Sequence, residues 1–301
     1  MAKLISLCIP TNGIIEWVFP VLDSIYRQNV SEDLFEVIVT DNGNNDEFEK
    51  KMLNLAKNHN NLIYHKTKAY SFLNEAEAYK LATGHFIKFI NHRTLLKENT
   101  LNEYIDFVEK NITTKPIVYF SNGVLGKTNK IEVYNNFNLF IKNLSYWSSW
   151  STGMGFWKED YVKISKDVVY NELFPHTTIL FSERKKSTYI IDDREMLTEI
   201  QVSSAKKGKY DLFYAFAVEY LSIIGDLLRD GDIDLETFIK VKNDNLQFII
   251  SLYFDFVIKK QECSYDLSSF EKSINVFYSL SNFKKELKKF RKRRFLKKIF
   301  K

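Results

Sequence analysis

Residues 1–120 alternate short apolar runs with stretches of helical periodicity, and this order restricts the possible folds more than any other feature. Such patterns predict strands and helices in turn. The predicted strands cover residues 4–9, 35–40, 62–64, 86–90 and 117–120, and the predicted helices cover residues 16–28, 46–58, 73–82 and 99–110. Strands separated by helices imply a mostly parallel sheet with helices on both faces, which is an α/β fold.

The chain changes character near residue 210. Residues 211–229, 234–260 and 267–301 show helical periodicity without strand alternation. We therefore predict an α/β domain over residues 1–205, a helical region over residues 206–282 and a basic tail over residues 283–301. The first boundary is expected within residues 203–209, a small and polar stretch.

Positive charge is concentrated at the end of the chain. The net charge is +5, yet from Lys284 to Lys301 there are eleven basic residues and one acid, Glu286. The preceding 283 residues are therefore mildly acidic, with a net charge of −5. This distribution argues against a generally basic nucleic-acid-binding domain, in which Lys and Arg cover a folded face.

Bulky apolar residues interrupt this basic tail. Phe283, Leu287 and Phe290 share one helical stripe, whereas the cluster of residues 295, 296, 299 and 300 points to the opposite side. A break near residues 291–294, or partial order, would bring both clusters to one surface. Interleaved basic and apolar residues favour an anionic membrane surface as partner. A solvated charge run and nucleic-acid binding are the alternatives.

The remaining composition predicts a cytoplasmic protein. Cys8 and Cys263 are far apart and show no spacing typical of a disulfide framework or a zinc site, so they are expected to be reduced. The N-terminal apolar run is too short for a signal peptide. The most apolar window, residues 248–258, is interrupted by Ser251 and Asp255, so no membrane-spanning helix is expected.

Polar side chains follow three predicted strands at the edge where parallel sheets bind ligands. They are Pro10, Thr11 and Asn12; Asp41 and Asn42; and Asn91, His92 and Arg93. Asp41 can accept hydrogen bonds from a nucleobase, with the hydroxyl of Thr11 beside it. Each residue also has an ordinary structural explanation, because an Asp after a strand is commonly a turn or cap residue, and His92 fits a surface position.

The order of these motifs resembles that of a known enzyme family. Ile9-Pro10-Thr11, Val39-Thr40-Asp41-Asn42 and Asn74 followed by Ala82-Thr83-Gly84 resemble bacterial family 2 GT-A glycosyltransferases, especially the abequosyltransferase-like subgroup. The similarity covers residues 4–93 well and continues loosely to residue 194. It implies an inverting enzyme that moves a sugar from a nucleotide-sugar to a lipid-linked or polymeric glycan. The residues that it places at the donor nucleotide are Pro10, Thr11, Asn12, Asp41, Asn42 and Asn74.

The expected metal motif is changed in this chain. Where the family carries acidic residues that hold a divalent cation against the diphosphate, this sequence has Asn91, His92 and Arg93. Asn91 and His92 could form a weak Mn²⁺ site, whereas Mg²⁺ prefers carboxylates and water. Arg93 could instead bind diphosphate oxygens directly, without a metal. We favour retained activity with reduced metal dependence, and a non-catalytic nucleotide-sugar-binding relative is the alternative.

Residues 145–157 contain three Trp among small polar residues, a composition suited to an acceptor sugar. Sugar C–H faces stack on aromatic rings, and their hydroxyls bind short polar side chains. Trp150 and the turn containing Ser151 and Gly153 are predicted to face the acceptor. Trp147 and Trp157 are predicted to fill the core, the commoner environment of a single Trp.

Inverting transfer requires a general base that removes the proton of the acceptor hydroxyl. The family supplies an acid near the start of a helix, and residues 171–176 match that position. His176 is the first candidate because its ordinary pKa is near neutral, and Glu172 is the second. Asp160 and Asp167 stay open, as does the oligomeric state.

Overall fold

The chain divides into two compact units, of which the first contains the predicted sheet. The computed structural model describes residues 3–128, 130–164, 168–201 and 208–299. The first unit comprises Met1–Phe140 and Trp147–Ile200, and the second comprises Ile141–Tyr146 and Gln201–Lys301. The predicted boundary region overlaps residues 202–207, which lie outside the described residues.

Four parallel strands form one half of the sheet, as the alternation predicts. They are β1 (Ile5–Thr11), β2 (Phe35–Asp41), β3 (Leu62–Lys66) and β4 (Phe86–Phe89), in the order β3-β2-β1-β4. The connecting helices are α1 (Ile15–Tyr26), α2 (Asp46–Ala56) and α3 (Asn74–Leu81). Every residue of β2 is buried, because a central parallel strand is covered on both faces.

The other half of the sheet is mixed. After β5 (Thr94–Leu96) and α4 (Thr100–Asn111) come β6 (Ile117–Phe120), β7 (Ile131–Tyr134), α5 (Phe137–Leu144), β8 (Met154–Trp157), α6 (Lys158–Lys163), α7 (Pro175–Leu180), β9 (Tyr189–Asp192) and β10 (Leu197–Glu199). The order continues β4-β8-β6-β9-β7. Strand β8 is antiparallel to both of its neighbours, β4 and β6, and strand β7 is antiparallel to β9. β10 pairs with β5 in a separate two-stranded sheet. The predicted mostly parallel α/β fold is confirmed, with antiparallel strands inserted in this half.

The second unit is helical, as predicted. Its main elements are α8 (Leu212–Tyr214), a π-helical turn (Ala215–Glu219), α9 (Tyr220–Arg229), α10 (Leu235–Tyr253), a second π-helical turn (Phe254–Ile258), α11 (Phe270–Phe277) and α12 (Leu280–Ile299). Asp234 begins α10 as an N-cap, its side chain accepting the backbone N–H of Thr237 at 2.7 Å. No helix among the described residues is long and apolar enough to cross a membrane.

The basic segment forms one continuous helix. α12 runs without interruption through residues 291–294, so a break there, one of the two arrangements that would bring both apolar clusters to one surface, does not occur. The two apolar clusters differ in their packing. Phe283 is buried, whereas Phe295 and Leu296 stay exposed on the outside of the helix.

Candidate functional site

Asn74 joins the carboxyl ends of the two central strands. Its side-chain nitrogen donates to the carbonyl oxygens of Thr11 (3.1 Å) and Thr40 (2.9 Å), and its oxygen accepts from the Thr67 hydroxyl (3.0 Å). The side chain is almost completely buried. Both amide hydrogens are therefore used in hydrogen bonds within the protein. Asn74 supports the strand ends of the predicted donor pocket and has no N–H left for a ligand.

Replacing Asn74 with Ala is expected to reduce the free energy of unfolding by about 2 kcal/mol, because buried strand-end carbonyls lose their donors. Urea unfolding measures the change. Asn54→Ala, on the exposed face of α2, is the control and should change stability by less than about 0.5 kcal/mol. An equal effect of the two substitutions would contradict the joining role of Asn74.

Asp41 ends β2 and is completely buried among donors of the protein itself. Its Oδ1 accepts the backbone N–H of Gly43 (2.8 Å), and its Oδ2 accepts from the Tyr64 hydroxyl (2.9 Å) and from Nζ of Lys66 (2.9 Å). Burial, with Asp41 as a further cause, raises the pKa of Tyr64. A carboxylate has about four acceptor positions. Three of them are filled by donors of the protein, and the carboxylate has no exposed surface, so a nucleobase could reach it only by displacing the exposed Lys66.

The loops after β1 and β2 touch each other beside Asp41. A Cβ on Gly43 would lie 2.0 Å from the carbonyl oxygen of Asn12, so only glycine allows this approach. Asn12 itself is exposed and Pro10 is part-exposed. Asn42 donates through its side chain to the carbonyls of Ala69 (2.9 Å) and Ser71 (3.1 Å). These contacts build one continuous loop surface at the predicted donor site.

His92 lies against Thr11, which brings the first and third predicted segments together. The hydroxyl oxygen of Thr11 and Nδ1 of His92 are 2.9 Å apart. Burial, and then the charge of Arg93, lower the pKa of His92 to about 3, so the ring is neutral near pH 7. Its edge packs on Trp17, with ring centroids 5.0 Å apart. Among the described residues, Nε2 has no hydrogen-bond partner.

Arg93 carries a positive charge that no described carboxylate neutralises. Its guanidinium lies 5.4 Å from the ring centroid of Trp17, within the range of a cation–π interaction. Its backbone N–H donates to Oδ1 of Asn91 at 3.0 Å, which fixes the turn after β4. Trp17, from the first turns of α1, therefore supports both His92 and Arg93.

These residues do not suit a divalent cation. The described part of the chain contains no group of three or more His, Cys, Asp or Glu placed to hold a metal ion. Oδ1 of Asn91 already accepts the N–H of Arg93, and His92 offers a single nitrogen. The adjacent guanidinium would repel a cation, and Mg²⁺ in particular requires carboxylates that are missing here.

Tyr119 holds the predicted acceptor segment by hydrogen bonding to its backbone. The oxygen of the Tyr119 hydroxyl lies 2.6 Å from the backbone carbonyl of Trp147 and 2.5 Å from that of Trp150, and its single hydrogen is shared between these two acceptors. The two indole rings pack 5.8 Å apart. Both Trp side chains and Ser151 are part-exposed. Gly153 is buried, and a Cβ there would lie 2.2 Å from the ring of Tyr119. Gly153 therefore packs against the scaffold, whereas Trp150 and Ser151, which were predicted to face the acceptor, are accessible together with Trp147.

Trp157 fills the core, as predicted. It is buried in β8, and its Nε1 donates to the carbonyl oxygen of Pro116 at 2.8 Å. Trp147 is only partly buried, so the prediction that it fills the core is not fully met.

His176, the first candidate base, is buried in α7 and connected to the acceptor segment. Its Nε2 lies 3.1 Å from the carbonyl oxygen of Ser148 and donates to it, so Nδ1 carries the free lone pair. Burial lowers its pKa to about 4. The structure thus brings the predicted base and the predicted acceptor platform together, through a bond that positions the Trp147–Trp150 turn.

The other candidate bases differ in their surroundings. Glu172 is exposed and lies three residues before the start of the short α7. Asp160 is buried and forms ion pairs with Lys163 (3.2 Å) and Lys186, so its carboxylate is already engaged. Asp167 lies outside the described residues.

Sequence patterns did not reveal Trp17, Lys66 or Tyr119 as site residues. Trp17 reads as one apolar position of an amphipathic helix, and Tyr119 as one residue of a strand. Only Lys66 carried a usable signal, a basic residue at the carboxyl end of a strand. Their importance arises from contacts between residues that are distant in the sequence.

Comparison with known proteins places this geometry in a fold class. No protein-family model and no curated protein matches the sequence. Solved glycosyltransferases match its structure. The 1–349 fragment of S. aureus TarS in complex with UDP-GlcNAc has a TM-score of 0.59 and 17% identity over 91% of this chain and 80% of that chain. The mannosyltransferase PcManGT from Pyrobaculum calidifontis, in complex with GDP-Man and Mn²⁺, has a TM-score of 0.53 and 15% identity over 83% and 76%.

These similarities establish the fold. At such identities the likeness is one of architecture, and the chain has the GT-A glycosyltransferase fold. Its alignment with full-length S. aureus TarS covers 85% of this chain but only 44% of TarS, with a TM-score of 0.51 and 17% identity. The chain therefore spans less than half the length of that relative.

Proposed function

We propose that this chain is an inverting glycosyltransferase that takes a sugar from a nucleoside-diphosphate donor and depends little on a divalent metal. The observation that carries the proposal is the guanidinium of Arg93, which has no carboxylate partner among the described residues. It lies on Trp17, beside Thr11 and His92, at the carboxyl ends of the parallel strands, and its Nε donates to Oδ1 of Asn91 (3.4 Å). Ligands of open α/β sheets bind at this edge. A fixed cation there suits a diphosphate that gains negative charge as it leaves.

Two groups can bind the diphosphate in this arrangement. Arg93 offers a planar set of N–H donors that matches phosphate oxygens. When the Thr11 hydroxyl donates to Nδ1 of the neutral His92, Nε2 carries the proton and can donate it to a second oxygen. The exposed Asn12 and its loop then face the nucleoside, and the completely buried Asp41 would contact the base only if the exposed Lys66 moved aside.

The ligands of the structural relatives support the donor class. TarS 1-349 binds UDP-GlcNAc and PcManGT binds GDP-Man, so both take a nucleotide-sugar. The PcManGT complex also contains Mn²⁺. In the present chain Arg93 would supply the positive charge that a metal ion supplies in such an enzyme. The base of the nucleotide and the sugar are left open by this reasoning.

The acceptor is proposed to be a lipid-linked or polymeric glycan of a cell-surface polysaccharide. The part-exposed Trp150 and Ser151 offer a ring for stacking and a hydroxyl for hydrogen bonding. Membership of the abequosyltransferase-like subgroup belongs to this proposal and rests on the motif order alone. The reaction is placed on the cytoplasmic side of the membrane, where nucleotide-sugars are made.

A panel of UDP-, GDP-, TDP- and CDP-sugars tests the proposed donor class. Thermal shift with and without Mn²⁺ should identify one nucleotide that stabilises the protein, and sugar release or transfer should follow with that donor. Stabilisation without turnover would favour the non-catalytic binding protein. Absence of both effects with every donor would reject a nucleotide-sugar function.

His176 is expected to position the acceptor platform. His176→Ala removes the bond to Ser148, so the acceptor KM should rise about tenfold while kcat falls by less than about tenfold. Initial rates at varied acceptor concentration separate the two constants, and donor binding serves as the internal control. A loss of kcat beyond about a hundredfold at unchanged acceptor KM would instead identify His176 as the general base.

A further inference from the structure

One side of α12 attaches the helix to the second unit. Phe283 is 1% exposed and packs on Tyr253 and Phe270, with ring centroids 5.2 and 4.9 Å away. About two turns further on, Phe290 packs on Phe254 at 5.6 Å. The guanidinium of Arg294 then lies 4.9 Å from the ring of Phe254. The basic segment is therefore a helix laid along the unit.

The opposite side of α12 is an exposed basic surface. At about 100° per residue, Lys284, Lys285, Lys288 and Lys292 project away from Phe283 and Phe290. All four are exposed, and none is within 4 Å of a carboxylate in the described residues. Three of them, with Ser281 and Lys289, line one open groove. Their positive charge is thus available to an external partner.

Two bulky apolar residues belong to the same exposed side. Phe295 is 65% exposed and Leu296 is 42% exposed, and their helical angles place them among the lysines. The two apolar clusters on opposite sides of the helix therefore have different contacts. Phe283 and Phe290 hold the helix to the protein, whereas Phe295 and Leu296 are available to a partner.

We propose that this side of α12, defined by Lys284, Lys285, Lys288, Lys292, Phe295 and Leu296, docks on an anionic lipid bilayer. Lysines attract the charged headgroups, and the two apolar side chains insert between them. A bilayer fits better than a nucleic-acid groove, because the packed inner side prevents the helix from entering a groove, whereas a planar surface needs only one exposed side. This inference does not depend on sugar transfer.

Vesicle binding by the full chain tests the proposal. Vesicles of phosphatidylcholine with phosphatidylglycerol should bind the protein at low salt, and pure phosphatidylcholine vesicles should not. Reversing Lys284, Lys285, Lys288 and Lys292 to Glu should weaken binding by more than roughly a hundredfold. The double change Phe295→Ser and Leu296→Ser should weaken it by roughly tenfold.

Matched variants separate the effect of this surface on vesicle binding from the effect of the protein's net charge. Reversal of the exposed Lys50, Lys57, Lys110 and Lys272 to Glu changes the charge equally and should weaken binding by less than tenfold. The double change Val162→Ser and Val276→Ser, at two other exposed apolar positions, is the control for Phe295→Ser and Leu296→Ser. Equal losses in the matched sets, or no binding to anionic vesicles, would overturn the proposal. Tighter binding to a single- or double-stranded oligonucleotide through the same lysines would replace it with nucleic-acid binding.

Discussion

Replacing Arg93 with Ala is expected to lower kcat by about 10²–10³-fold, the largest effect on turnover that the site predicts. Positive charge placed where negative charge develops acts mainly in the transition state, so kcat should fall more than the donor KM rises. Trp17 holds the guanidinium in place, and no described carboxylate competes for it. Steady-state transfer with the best donor, in the presence of a chelator, measures the change.

Two further arginine substitutions test whether the loss of turnover is specific to the guanidinium of Arg93. Arg93→Lys keeps the charge but loses the planar set of donors, so roughly a tenfold loss is expected. Arg27→Ala, at the exposed residue that follows α1 and pairs with Asp23, should leave turnover unchanged. Full dependence on Mn²⁺ together with a neutral effect of Arg93→Ala would contradict the assignment of the diphosphate charge to Arg93.

The parallel half of the fold could be predicted because burial leaves a strong pattern. β1 and β2 are covered on both faces, and each therefore appears as a mostly apolar run between helices, interrupted only by the buried and mutually hydrogen-bonded Ser6 and Glu36. β8 is only four residues long and lies between β4 and β6, far from both in sequence. Such short antiparallel insertions have no local periodicity, because their position depends on partners that the sequence does not place nearby.

The sequence predicted which residues come together at the candidate site better than it predicted the contacts that each residue makes. Strand ends identified Asp41, His92 and Arg93, since the edge of a parallel sheet is fixed by topology. Asn74 and Gly153 were expected to face ligands, yet their contacts with strand carbonyls and with Tyr119 commit them to the scaffold. A sequence shows the chemistry of a side chain but not which of its hydrogen bonds are already used.

The stability of the protein is expected to rise between pH 7 and 9 because of Lys88. This lysine of β4 is completely buried, and its Nζ donates to the carbonyl oxygens of Phe89 (2.9 Å) and Thr152 (2.7 Å). The rings of Tyr104 and Phe120 lie 5.6 and 5.4 Å away. Burial lowers its pKa from 10.5 to about 7.

The direction of this pH dependence follows from the number of protons bound by the unfolded and the folded chain. Between pH 7 and 10.5 the unfolded chain holds a proton on Lys88 that the folded chain has largely released, so raising the pH favours the folded state. The slope approaches about 1.4 kcal/mol per pH unit, which gives about 2 kcal/mol between pH 7 and 9. Above this window burial of the Cys8 thiol acts in the opposite direction, because its pKa is raised above 9.0.

Urea unfolding of the native chain and of Lys88→Met at pH 7 and 9 isolates this effect. The methionine variant has no group to titrate, so its gain in stability over this interval should be smaller by about 2 kcal/mol. Lys110→Met, on the exposed side of α4, should keep the native gain. Equal gains in all three proteins would mean that Lys88 stays charged when folded, with the two carbonyl oxygens and the two rings stabilising the ammonium group. In that case Lys88 would hold β4 and the turn at Thr152 together across this whole pH range.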